Sequence, residues 1–203
     1  MTGYQNIIFD IGNVIVRWSP EEIIRLTLGE AVDAHAYANQ VFQSETWQAL
    51  NRGTLIEAQA KQRFADDTAL SPAQLEALFY YIKQTQICLY GSVDLLQSAK
   101  QAGYGVYALT DNVREIVAFL KQRYAFWSLF DGAIVSAEVG HLKPEPAIYQ
   151  RLLDDYHLDP ASCVFLDDRV ANVEGAKAMG MAGIPFTDAQ QGRAELAKLG
   201  IVV

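Results

Sequence analysis

Acidic, hydroxyl and cationic residues stand at the ends of apolar runs in this chain. Ile7-Ile8-Phe9 closes on Asp10 and a glycine-containing turn, Ile11-Gly12-Asn13. Val106-Tyr107-Ala108-Leu109 ends on Thr110, Gly140-His141-Leu142 leads to Lys143-Pro144, and Cys163-Val164-Phe165-Leu166 ends on Asp167-Asp168. A carboxylate nucleophile, a hydroxyl, a cation and an acidic pair are a workable set for metal-assisted phosphoryl transfer. Adjacent carboxylates repel unless they share a cation, so Asp167-Asp168 points to a metal or a lysine close by. A plain helix cap is the alternative reading of that pair.

The elements that must position these residues follow from the pattern around them. An apolar run that closes on an acid puts the carboxylate at the C-terminal edge of a parallel sheet, where open α/β folds keep their ligands. From Val16 to about Tyr90 the strand-like runs stop. Ser19-Pro20-Glu21-Glu22 and Ser71-Pro72-Ala73-Gln74 read as helix starts. Apolar spacing predicts about three or four helices here, near residues 23–28, 36–50, 55–64 and 72–82. Another helix is expected from Gly91-Ser92-Val93 to about Gln101, and after Gly103 strands and helices alternate. The expected architecture is α/β: a Rossmann-like doubly wound parallel sheet from residues 1–16 and 90–203, interrupted by a small helical cap over 17–89. The alternative is that these helices merely complete the fold.

Two further placements follow. Thr110 ends a strand and Asp111-Asn112 is expected to open a helix, so the hydroxyl and the first helical N–H groups would seat a phosphate. Lys143, in a loop leading into a helix, would aim a point charge at phosphoryl oxygens.

Composition bounds the partners. The chain has 203 residues and a net charge of −8 with no basic cluster, which argues against nucleic acid. Half the residues (51%) are apolar and 20% charged, an ordinary globular balance. The first strand starts soon after Met1 and no apolar run is long enough for a bilayer, so neither a signal peptide nor a membrane partner is expected and the default location is cytoplasmic. Cys88 and Cys163 have no metal-ligand spacing and read as reduced core thiols.

With these four motifs in this order, from Ile7 to about Phe186, the chain resembles the haloacid dehalogenase superfamily. The Asp-Ile-Gly-Asn-Val form of the first motif is most similar to small bacterial sugar-phosphate phosphatases, a group that includes an α-glucose-1-phosphate phosphatase. The resemblance implies a phosphatase of small phosphorylated metabolites working through an aspartyl-phosphate on Asp10, with Thr110 and Lys143 completing the catalytic set. Nucleophile and substrate are both anionic, so a cation must lie between them, and Mg²⁺ suits hard oxygen ligands. The expected ligands are Asp10, the Gly12 carbonyl and Asp168, with Asp167 and Asn172 behind them. Asn112, Trp47 and Arg52 are the expected substrate contacts, Arg17 and Trp18 are second candidates, and Trp47 equally reads as cap core.

Gly12 departs from the family pattern. Most of its phosphatases carry a second Asp there, which protonates the leaving group and then activates water. Such help is worth ~10²–10⁴ in rate, so its absence calls for an easier leaving group, such as an anomeric phosphate, or another donor such as His141 or a substrate hydroxyl. Asp111 departs too, since an added negative charge beside the second motif opposes phosphate unless it caps a helix and faces away. Two other readings stand beside the phosphatase: a metal-free dehalogenase using the same Asp10, and a weakened scaffold binding phosphoesters or a protein.

Overall fold

Residues 3–203 are described by a computed structural model. In chain order the elements are β1 (Asn6–Phe9), α1 (Pro20–Leu28), α2 (Ala34–Phe42), α3 (Glu45–Asn51), α4 (Glu57–Asp67), α5 (Pro72–Gln84), α6 (Ser92–Gln101), β2 (Gly105–Thr110), α7 (Arg114–Arg123), β3 (Gly132–Val135), α8 (Ser136–Val139), α9 (Pro146–Tyr156), β4 (Cys163–Asp167), α10 (Val170–Ala178), β5 (Ala182–Pro185) and α11 (Ala189–Lys198). The strands form one parallel sheet in the order β3-β2-β1-β4-β5.

Helices cover both faces of the sheet, which is why its strands read as unbroken apolar runs. Ile7, Phe9, Val106, Ala108, Val164 and Leu166 pack toward one face, while Ile8, Leu109 and Phe165 pack toward the other with Ile148, Tyr149 and Leu152 of α9. The chain leaves β1 for β2 and β3 on one side, then returns to place β4 on the other side of β1. That reversal opens a crevice at the C-terminal ends of β1 and β4. Asp10 N–H donates to the Leu166 carbonyl at 2.9 Å, so β1 stays pinned to β4 one residue beyond the strand.

Five helices, α1 to α5, lie between β1 and α6. The expected 36–50 helix is two helices, because Ser44 Oγ accepts the Trp47 N–H at 3.0 Å and starts α3 afresh. Ser71 caps α5 with Gln74 answering it, whereas Ser19 makes no side-chain cap and α1 begins on Pro20. Gly140-His141-Leu142, which mimics a strand end in the sequence, is a loop after α8; the strand of that region is β3. Among the described residues no helix is long and apolar enough to cross a membrane. Both cysteines are free thiols, Cys163 buried and Cys88 half-buried.

Candidate active site

The crevice gathers its charged groups from three strand ends and from the loop between α8 and α9. Lys143 Nζ lies 2.8 Å from Asp10 Oδ1 and 2.7 Å from Asp167 Oδ2, and donates to the Leu109 carbonyl at 3.1 Å. Its side chain is 1% exposed. Burial alone would lower its pKa, but Asp10, Asp167 and Asp111 more than reverse this and hold it charged. All three ammonium donors are therefore directed at the sheet edge, so Lys143 orients Asp10 and Asp167 and offsets part of their charge.

Asp10 also accepts the Ile11 N–H at 2.7 Å. Burial pushes its carboxyl up to about 7, with the neighbouring Asp167 adding to the rise, against the opposing pull of Lys143 and the Ile11 N–H. Asp168 is likewise raised, by burial first. Carboxylate oxygens of Asp10, Asp167 and Asp168 all lie within 4.8 Å of one another. One buried ammonium cannot balance three such acids.

Hard oxygen donors crowded with surplus negative charge fit Mg²⁺. Asp10 and Asp168 would hold it, with the Gly12 carbonyl, which lines the same cavity. Asp167 is committed elsewhere: it takes Lys143, the Arg169 N–H at 2.8 Å and both contacts of Asn172 Nδ2 at 3.0 Å. Asn172 thus fixes Asp167, and its own Oδ1 is buried with no partner among the described residues. Arg169, not an acid, occupies the N-cap position of α10, and it makes no side-chain cap, so the acidic pair is not there as a helix cap.

The second motif is built differently from the expectation. Helix α7 begins at Arg114, and the Asn112 N–H is already donated to Ser136 Oγ at 2.9 Å. The Val113 N–H goes to Asn112 Oδ1 at 2.9 Å. These two N–H groups are therefore not free to seat a phosphate, although Asn112 lines the cavity. Thr110 is 1% exposed and its Oγ1 is buried without a partner among the described residues. Asp111 does not cap α7; its Oδ1 accepts the Lys143 N–H at 2.9 Å.

A cavity of about 520 Å³ opens over these groups, lined among others by Asp10, Gly12, Asp111, Asn112, Lys143 and Asp168 below. Above them are Trp18, Phe42, Gln43, Trp47, Gln48 and Asn51 from the helical insert. Trp18 and Trp47 stack at 5.8 Å and 14°, and Phe42 meets both edge-on. Both readings of Trp47 therefore hold: it is 9% exposed, packed in this cluster, and part of the cavity wall. The Trp47→Ala variant is expected to shift the kcat/KM ratio between phosphoesters by tenfold or so, the scale of one lost apolar contact, without changing metal dependence. Equal loss on every substrate would assign Trp47 to folding alone.

Arg52 is not where the sequence put it. Its guanidinium grips Glu145 and donates to the Gly140 carbonyl at 3.2 Å, outside the cavity lining. It clamps α3 to the Lys143 loop instead of meeting substrate. Arg17 pairs with Glu22 at 2.7 Å and is also off the wall. His141 lies 3.6 Å from the same Glu145 and is half exposed, so it does not replace the missing acid. Gly53 allows the clamp: at φ +68°, a Cβ there would sit 1.9 Å from the Ala137 carbonyl oxygen.

Sequence reasoning missed Asn13. At φ 53°, a conformation Asn tolerates better than most residues, its Nδ2 donates to Asp168 Oδ2 at 3.1 Å and its Oδ1 accepts the Trp18 N–H at 2.9 Å. It ties the aromatic wall to Asp168, one of the three clustered carboxylates. An Asn just after a glycine in the turn was the available signal.

Comparison with known proteins gives the family and the fold. The family profile described as haloacid dehalogenase-like hydrolase matches residues 4–180. A sesquiterpene phosphatase of Aspergillus oryzae is 29% identical over 201 residues, covering 98% of this chain and 97% of that one. D-ribitol-5-phosphate phosphatase of Bacteroides thetaiotaomicron is 26% identical over 188 residues, covering 87% and 88%. Other curated relatives are longer, the chain spanning 33% of one and 63% of another. A HAD family enzyme of Bacteroides thetaiotaomicron, solved with magnesium and inorganic phosphate, superposes with a TM-score of 0.74 at 21% identity, over 90% of this chain and 93% of that one.

Proposed function

The chain belongs to the haloacid dehalogenase-like hydrolases, and from that premise we propose a Mg²⁺-dependent phosphatase of small phosphorylated metabolites that works through an aspartyl-phosphate on Asp10. The observation that carries it is the buried Asp10–Lys143–Asp167 chain beside Asp168, at the point where the strand order reverses. Lys143 holds Asp10 in place and opposes the rise that burial imposes on its carboxyl, Asn172 and Lys143 hold Asp167, and Asn112 presents its amide to the phosphoryl group. Bound at Asp10, Asp168 and the Gly12 carbonyl, Mg²⁺ would offset the negative charge shared by nucleophile and substrate. The inserted helices α1 to α5 act as the cap that covers the site and excludes water.

The cap side of the cavity limits the substrate. Among the described residues its wall is rings and carboxamides with no charged side chain, Arg17 and Arg52 are paired elsewhere, and Arg169, the one arginine lining the cavity, stands on the core side at the start of α10. A second anionic group on the substrate would be desolvated there without a counterion. The leaving portion is therefore neutral, and Gln43, Gln48 and Asn51 suit the hydroxyls of a sugar or polyol phosphate. The Trp18–Phe42–Trp47 cluster supports a second reading, an unsaturated hydrocarbon phosphate lying against the rings.

Phosphate release from a panel separates these readings. Neutral sugar, polyol and prenyl monophosphates are expected to be hydrolysed at least tenfold better than bisphosphates or phosphocarboxylates. Chelation of divalent cations should remove turnover, and added Mg²⁺ restore it. Unchanged rates after chelation, or chloride release from a haloacid under those conditions, would contradict the metal-dependent phosphatase.

A further inference from the structure

Asp111 lines the cavity next to Asn112, is fixed through Oδ1 to the Lys143 N–H, and has no donor on its other oxygen among the described residues. An ionised Asp111 there would repel every phosphoester that approaches. At the same site Gly12 offers no side chain for proton transfer, and His141 is turned to Glu145.

The other titratable groups on the cavity wall are unsuited to the task. Asp10 attacks, Asp168 faces the metal, Lys143 is locked as an ammonium and Arg169 is always charged. We propose that Asp111 is the general acid and base of this site, entering the cycle protonated and taking over the work that Gly12 cannot do. The inference rests on the phosphatase reading. Burial, the largest influence on Asp111, raises its carboxyl above the usual range, which favours the protonated form.

The proton balance closes. In the first step an Asp10 oxygen bonds to phosphorus, the phosphorus bond to the leaving oxygen breaks, and the Asp111 proton goes to that oxygen to give a neutral alcohol. In the second step Asp111, now a carboxylate, takes a proton from water as the water oxygen attacks phosphorus. The Asp10–phosphorus bond breaks, hydrogen phosphate leaves, and Asp111 is again protonated.

Asp111→Asn tests this, because the amide oxygen can still accept the Lys143 N–H and keep that loop in place. With an alkyl monophosphate the variant is expected to lose ~10²–10⁴ in turnover. With p-nitrophenyl phosphate it should give a full burst of nitrophenolate followed by slow turnover, since that leaving group needs no proton while the second step still needs a base. The double variant Gly12→Asp with Asp111→Asn should recover the alkyl phosphate. Position 12 has room, the nearest atom to an added Cβ being Trp18 Cβ at 3.8 Å.

Equal loss on both substrates without a burst, or no loss on the alkyl phosphate, overturns the proposal. As a control independent of Asp111→Asn folding, wild-type kcat/KM is expected to differ by less than about tenfold between an alkyl monophosphate and p-nitrophenyl phosphate; a deficit of ~10² or more on the alkyl ester would show that the wild type lacks an acid and overturn it. A wild type that hydrolyses neither substrate would overturn the phosphatase reading, and this inference with it.

Discussion

Asp10→Asn is expected to reduce turnover by about 10⁴ or more, the scale on which removing a covalent nucleophile acts, while the fold survives. The amide is nearly isosteric but is a poor nucleophile and a weaker Mg²⁺ ligand. It keeps an oxygen for the Ile11 N–H and Lys143. The folded protein should even gain from the change. Burial raises the Asp10 carboxyl to about 7 from the ordinary 3.8, so in the metal-free protein its ionisation opposes folding once the pH exceeds the unfolded value, and fully so above the folded one. At pH 8 without metal, the variant is therefore expected to melt no lower than wild type. Thermal denaturation beside a turnover assay checks both halves. Retained activity in a folded variant would remove Asp10 from the chemistry.

Lys143→Met should cost about 10² or more in kcat, or about 2.7 kcal/mol, the usual effect of losing one stabilising donor from a closed site. Met matches the length of the stem and leaves little cavity, so the loss reports the charge. Without the ammonium, Asp10 and Asp167 face each other and the nucleophile is harder to ionise. Breaking a buried pair is also destabilising by about 3–5 kcal/mol, so the rate is to be measured well below the melting temperature. Because Lys143 also touches Asp10 directly, Mg²⁺ affinity should change along with kcat. A rate within threefold of wild type, in protein shown to be folded, would return Lys143 to a structural role.

Much of the site was legible because its residues sit where local pattern and topology agree. Asp10, Thr110 and Asp167 each follow an apolar run, and a parallel sheet brings such ends together however far apart they lie in the chain. Strands β1, β2 and β4 were readable from the same runs, whereas β3 and β5 are short and were not, and the loop Gly140-His141-Leu142 beyond β3 imitates a strand end. What escaped depends on long-range partners that leave no periodic trace. Arg52 next to Gly53-Thr54 looks like a substrate contact until Glu145, far along the chain, is found holding it. Asn112 looked like a source of free helical N–H groups until Ser136 took the first of them. The break at Ser44 was visible as a capping residue but was masked by apolar spacing that continues through it. Asp111 was visible as an anomaly, and only its place on the cavity wall and its bond to the Lys143 N–H gave the anomaly a use.

The central claim is that the phosphoryl group passes through Asp10. The most direct measurement is rapid acid quench during turnover of a ³²P-labelled monophosphate with Mg²⁺, followed by peptide mapping of the protein. The account predicts label, stable in acid and released by hydroxylamine, on the peptide containing Asp10, and none in Asp10→Asn. Label on another residue, or steady turnover with no labelled protein at any quench time together with full activity in Asp10→Asn, would contradict it.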